Sequence, residues 1–190
     1  MNAAEHMVES YFRLCRGCFT CADRKVLGGN NRQLDILAYN LKEKQQFHIE
    51  VSVTHQQSWF PSRRELEQEF EGKFFGAPPK RTSSTGNRTD HEKGKSYYPQ
   101  IEAAYIAAGF LPAGVRRVWV CWFVKGEDNA RALLWQFDSR HLKRRFEIEV
   151  LSLRDVILPD LEKEIGTANY DDEILRTLSL LKQFRSQTGK

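Results

Sequence analysis

Apolar residues along the first fourteen positions recur every three or four residues. Met7, Val8, Tyr11, Phe12 and Cys15 alternate with Glu5, Glu9 and Arg13, which predicts a helix over Asn2–Cys15 with one buried face. Gly17 follows where glycine can end a helix in the left-handed region. The period then shortens to two. A short strand is expected near Arg24–Leu27 and a second over Gln33–Asn40, joined by the turn-like Gly28-Gly29-Asn30-Asn31. Phe47–Thr54 alternates cleanly: Phe47, Ile49, Val51 and Val53 face one way, and His48, Glu50 and Ser52 the other. Helical spacing returns over Arg63–Phe75, ended by Gly76 and the Pro78-Pro79 pair, and again over Tyr97–Ala108 before Gly109. Three strands follow, over Val115–Val124, Ala132–Phe137 and Glu147–Ser152. Val115–Val124 is apolar enough to be buried on both faces. A short helix near Leu153–Glu164 and an amphipathic one over Asp171–Phe184, striped by Ile174, Leu175, Leu178, Leu181 and Phe184, close the chain. This order predicts one α/β domain, a mixed sheet with helices on both faces. Its core spans 1–165, and the C-terminal helix within 166–190 packs on it.

Composition narrows the class. With 41% hydrophobic and 12% aromatic residues in 190, the chain can bury a core, which excludes wholesale disorder. The longest apolar run, Val118 to Val124, is far shorter than the ~20 residues of a membrane-spanning helix. The first residues lack the basic start and apolar stretch of a secretory signal, so a cytoplasmic protein with reduced cysteines is expected. A net charge of +4 permits a nucleic-acid partner without requiring one. Lys80–Ser96 has no aliphatic side chain and carries Lys80, Arg81, Arg88, Lys93 and Lys95 against Asp90 and Glu92, so most of the net charge lies there. A long loop of this kind inside a domain is usually functional or disordered.

Two carboxylates stand out because they fall inside strands. Asp35 interrupts the apolar Leu34–Ala38, and Glu50 lies in the middle of its strand. Burying them is costly without compensation. A tight connection between their strands would bring both to one end of the sheet, where a divalent cation with hard oxygen ligands, Mg²⁺ or Mn²⁺, would relieve their repulsion. A salt-bridged or strand-end carboxylate is the plain alternative for each.

At these residues the chain resembles the PD-(D/E)XK (restriction-endonuclease-like) superfamily. An acidic helix (Glu5, Glu9), a bend at Arg16-Gly17-Cys18-Phe19-Thr20, the strand Leu34–Ala38 with Asp35, Glu50-Val51-Ser52 in the place of Glu-x-Lys, and the strand-to-helix segment Glu149–Asp155 follow that family's order. The resemblance implies a restriction-endonuclease-like sheet and metal-dependent cleavage of DNA phosphodiesters, in a restriction, repair or defence role. It implies Mg²⁺ or Mn²⁺ held by Asp35, Glu50 and the Val51 carbonyl, with Glu5 or Glu9 assisting through a water, and it permits a homodimer. Ser52 stands where the family has its catalytic lysine. Lys73 and Lys25 are the nearest replacement cations, and Gln56 or Gln57 could contribute instead. The rival reading is a non-catalytic nucleic-acid-binding or assembly module on the same fold, decayed at Ser52.

Other signals are less specific. Cys15, Cys18 and Cys21 form a CxxCxxC run that could suggest a metal cluster, although small buried hydrophobes are the default. The basic loop and a second cluster containing Arg144 and Arg145 are candidate phosphate contacts. Trp59 and Phe60 could stack on a base or simply pack in the core.

Overall fold

The computed structural model describes residues 1–29, 31–54, 60–77 and 96–189. Helix α1 (Ala3–Leu14) starts at a reciprocal cap. The Asn2 side chain accepts the N–H of Glu5, and the Glu5 carboxylate accepts the N–H of Asn2. Six strands follow in one sheet: β1 (Cys18–Lys25), β2 (Gln33–Asn40), β3 (Gln45–Val51), β4 (Val115–Cys121), β5 (Leu133–Ser139) and β6 (Arg144–Ser152). Their spatial order is β1-β2-β3-β4-β6-β5. The central pairs β3–β4 and β4–β6 are parallel, and the outer pairs β1–β2, β2–β3 and β5–β6 are antiparallel. A parallel step needs a crossover, and α2 (Arg63–Lys73) and α3 (Tyr98–Ala107) lie within the one joining β3 to β4. A π-type turn over Leu153–Ile157 leads from β6 into α4 (Leu158–Glu164), and α5 (Glu173–Thr188) ends the described chain.

The sheet separates two apolar layers. On one face Val8, Tyr11 and Phe12 of α1 meet Ile36, Ile49, Val118, Val120 and Leu151, with Leu161 of α4 and Leu175 of α5. On the other, Leu66 and Phe70 of α2 pack on Trp119, Trp135, Phe137 and Ile148, while Ile101 and Tyr105 of α3 cover Leu37 and Val115. The result is the expected single-domain α/β fold with a mixed sheet flanked by helices.

Several elements differ from the sequence expectation. β1 begins at Cys18, well before Arg24. As an edge strand it alternates exposed and partly buried positions with many polar side chains, so no apolar run announces it. β5 and β6 extend toward their hairpin through the Asp138–Arg145 ion pair (2.8 Å) and the Gln136–Glu147 hydrogen bond (3.0 Å), which places Arg144 and Arg145 in a strand rather than a loop. β4 stops at Cys121 and buries Arg117 in its interior. The stripe of α5 divides. Leu175 and Leu178 pack on the core, whereas Leu181 and Phe184 are exposed, because the helix runs past the core beyond Ser179. The Ser179 hydroxyl anchors that crossing point by donating to the carbonyls of Gly166 and Ala168. Among the described residues no helix is long and apolar enough to cross a membrane.

Phe70 is fully buried, with ring centroids of Trp119, Phe137 and Phe74 5.3, 5.6 and 5.9 Å away. With Leu66 it seats α2 on the sheet. Phe70→Ala should cost about 3–5 kcal/mol in urea unfolding, and a loss below about 1 kcal/mol would mean that α2 is held elsewhere.

Candidate active site

Asp35 and Glu50 meet where β2 and β3 part. The antiparallel ladder pairs Leu37 with His48 and Ile36 with Ile49, which sets Asp35 opposite Glu50 on the same face. Pairing ends there, and the carboxylate of Asp35 replaces the next backbone partner by accepting the Val51 N–H at 2.9 Å. The Val51 carbonyl lies on the same edge of the strand as its N–H, toward Asp35.

Glu50 is 1% exposed. Its Oε1 accepts from His48 Nε2 at 2.8 Å, and its Oε2 lies 2.8 Å from Lys73 Nζ, at the end of α2. This contact is an ion pair, and Oε2 has no further partner among the described residues. Burial alone would push the Glu50 carboxyl up, but His48 and Lys73 outweigh it and the net shift is downward. Glu50 is therefore ionised. An ionised carboxylate only accepts, so His48 must donate through Nε2, and its Nδ1 accepts from the Tyr105 hydroxyl at 2.7 Å. Burial lowers the His48 pKa and raises that of Tyr105, which keeps the imidazole neutral and the phenol protonated.

Asp35 differs. Burial and then the charge of Glu50 push it up to about 6, against the Val51 N–H and Lys73. Lys73 is pushed up in turn, since Glu50 and Asp35 outweigh its partial burial. Asp35 and Lys73 share a cavity of about 380 Å³ with Arg32 and Ile101. Arg32 donates to the carbonyls of Gly72 (2.5 Å) and Ala77 (2.8 Å), which ties the end of α2, and so Lys73, to the start of β2.

The remaining expected residues are distributed as follows. Ser52 follows the last residue of β3, is exposed, and donates its backbone N–H to Val120; the cation beside Glu50 is Lys73. Lys25 is exposed on edge strand β1. Glu5 is engaged in the α1 cap, near enough to Asp35 to add to its upward shift. Glu9 accepts from the Thr20 hydroxyl at 2.7 Å. Arg144 and Arg145 begin β6. Val150 aligns with Trp119 and Trp119 with Glu50, so Arg144 lies six residues, about 20 Å, from the level of Glu50. These arginines cannot reach a phosphate held at Asp35 and Glu50. Lys80, Arg81, Arg88, Lys93, Lys95, Gln56, Gln57 and Trp59 lie outside the described residues. Phe60 packs on Phe123, with centroids 4.4 Å apart.

Among the described residues, no three His, Cys, Asp or Glu side chains form a metal-holding group. Cys18 and Cys21, three apart on β1, point to opposite faces, and Cys18 is buried while Cys21 is exposed. Two carboxylates are nevertheless a sufficient protein contribution for Mg²⁺ or Mn²⁺, which keep several waters and take further oxygens from a phosphate. Asp35, Glu50 Oε2 and the Val51 carbonyl form a hard oxygen set suited to such an ion. Sequence reasoning missed Arg32 and Tyr105. Neither lies near an acidic motif, and only the fold brings them to it. Comparison with protein-family models, curated proteins and solved structures finds no match.

The raised Asp35 pKa sets a pH dependence. Its ordinary value is 3.8 and its folded value about 6, so the folded chain holds the proton more tightly. The stability from the neutral form is complete below about 3.8 and is lost as pH rises through about 6. Asp35→Asn keeps an acceptor for Val51 without the charge. It should raise Tm by a few degrees at pH 8 and by much less at pH 4, in the absence of metal. A lowered Tm at pH 8 would contradict this account.

Proposed function

We propose that this chain is a Mg²⁺- or Mn²⁺-dependent nuclease of the PD-(D/E)XK kind that cleaves DNA phosphodiesters. The observation that carries the reading is the meeting of Asp35 and Glu50 at the parting of β2 and β3, with Lys73 2.8 Å from Glu50. Asp35, Glu50 and the Val51 carbonyl would hold the cation, which when bound supplies a Lewis acid and a water of lowered pKa. Lys73 takes the role that the superfamily gives to the lysine two residues after the glutamate. Its ammonium, kept charged by Glu50, offsets negative charge on the phosphate oxygens beside it. His48, backed by Tyr105, fixes the Glu50 carboxylate by holding one of its oxygens. The cavity beside Asp35 and Lys73 gives the phosphodiester a place to enter. Cutting both strands of a duplex calls for a homodimer, and the expected setting is the cytoplasm.

Cleavage of plasmid and single-stranded DNA with Mn²⁺ tests this. Asp35→Asn, Glu50→Gln and Lys73→Met should each lower the rate by about a hundredfold or more, and chelation should abolish it. Ser52→Lys should add little to the natural protein but restore part of the rate in the Lys73→Met background, because position 52 faces the same way as Glu50. Mn²⁺ should also raise Tm in the natural chain and not in Asp35→Asn. No cleavage of any DNA form, with no metal-dependent Tm rise, would favour the non-catalytic binding module.

A further inference from the structure

Arg117 is a buried cation with no anion beside it among the described residues. It is 6% exposed, and no carboxylate among the described residues lies within ion-pair distance. Its Nη1 donates to the Val115 carbonyl at 3.2 Å and its Nη2 to the Tyr98 hydroxyl at 3.3 Å. Nε has no partner. The guanidinium lies over the rings of Phe75 and Phe146, 5.1 and 4.7 Å from their centroids. Such contacts stabilise a cation but leave its charge uncompensated, and a buried unpaired charge is costly.

The same guanidinium lines a cavity of about 350 Å³ at the N-terminal ends of β4 and β6, toward the opposite end of the sheet from Asp35 and Glu50. Arg116, Arg144 and Arg145 line it too. Arg116 donates to the Gln45 side chain, Arg144 lies over Phe146, and neither has a carboxylate partner among the described residues. Arg145 is held by Asp138. Three carboxylates also border the cavity: Glu149 is held through Oε1 by Arg16 at 2.5 Å, its Oε2 having no hydrogen-bond partner among the described residues, and Glu147 is held by Gln136. The third, Glu102, lies near Tyr98, whose phenol is pushed up by burial with Glu102 adding to the shift. Each Nη of Arg117 spends one of its two hydrogens on these bonds, so their second hydrogens and the guanidinium of Arg144, which has no carboxylate partner among the described residues, are left for a ligand.

We propose that this cavity is a phosphate-binding site, with Arg117 and Arg144 as its principal donors. The planar guanidinium suits the tetrahedral oxyanion, and a dianionic group balances two arginines. The source is either a small phosphorylated molecule or a phosphate of a nucleic-acid chain. The site is independent of the metal-centre reading, so it is tested without metal.

Inorganic phosphate is titrated into the full chain in EDTA at constant ionic strength, followed by calorimetry and by phosphorus NMR. One saturable site is expected. Arg144→Gln, at an exposed position that should not disturb folding, should weaken it about tenfold or more, and Arg117→Met should abolish it. Lys73→Met should leave it unchanged. Displacement of the phosphate by a duplex oligonucleotide would assign the site to a nucleic-acid backbone, and absence of displacement to a small phosphorylated molecule; both uphold it. No saturable binding, an unchanged affinity in Arg144→Gln, or a loss in Lys73→Met would overturn it, the last by moving the phosphate to the Asp35–Glu50 centre.

Discussion

A carboxylate buried in the middle of a strand is the constraint around which this structure is arranged. Glu50 cannot hold its charge at 1% exposure without compensation: His48, two residues earlier on the same strand face, donates to one oxygen, and the Lys73 ammonium, from the helix that crosses above, lies 2.8 Å from the other. The His48 requirement propagates. A buried imidazole with one nitrogen committed needs a donor for the other, which Tyr105 of α3 supplies. One ionised group in β3 thereby fixes how both crossover helices must sit. Apolar packing alone would tolerate more than one placement of α2 and α3, whereas this polar chain permits few.

The antiparallel and parallel halves of the sheet contribute differently. The β2–β3 ladder fixes Asp35 against Glu50 by register, so that a slip of one residue would turn Asp35 to the other face. The parallel β3–β4 step then requires a crossover, which returns α2 and α3 to the face that carries Glu50. The hairpin brings the two negative charges together, and the crossover brings the positive one.

Much of this was legible in the sequence, for reasons that can be named. Alternation over Phe47–Val53 gave the face of Glu50, and Asp35 was conspicuous because it breaks an apolar strand. Lys73 was among the nearest cations, although its selection over Lys25 depended on α2 folding back across the sheet, a long-range fact. The partners of His48 were hidden for the same reason, since Tyr105 is 57 residues away. Arg117 was the clearest miss. The run Val115–Val124 reads as apolar on both faces, and nothing local shows that it buries a guanidinium over which phenyl rings from just beyond α2 and from β6 close. Strand β1 was underestimated because an edge strand carries polar side chains on its open face, and α5 was overestimated because helical spacing cannot say where the core ends.

Placing the cation on a helix rather than on the strand changes what controls it. A lysine at position 52 would be oriented by the pleat of β3 and by the Ser52–Val120 backbone hydrogen bond. Lys73 is the last residue of α2, where the helix dipole favours a positive charge and where a half-exposed side chain keeps some freedom. Its position therefore depends on the aromatic packing of Phe70 and Phe74 against Trp119 and on the two carbonyls that Arg32 grips just beyond the helix and within its last turn. Any displacement of α2 moves the ammonium relative to Glu50 while leaving Asp35 and Glu50 in register. The carboxylate pair is thus as rigid as the sheet, and its cation is as rigid as the seating of one helix.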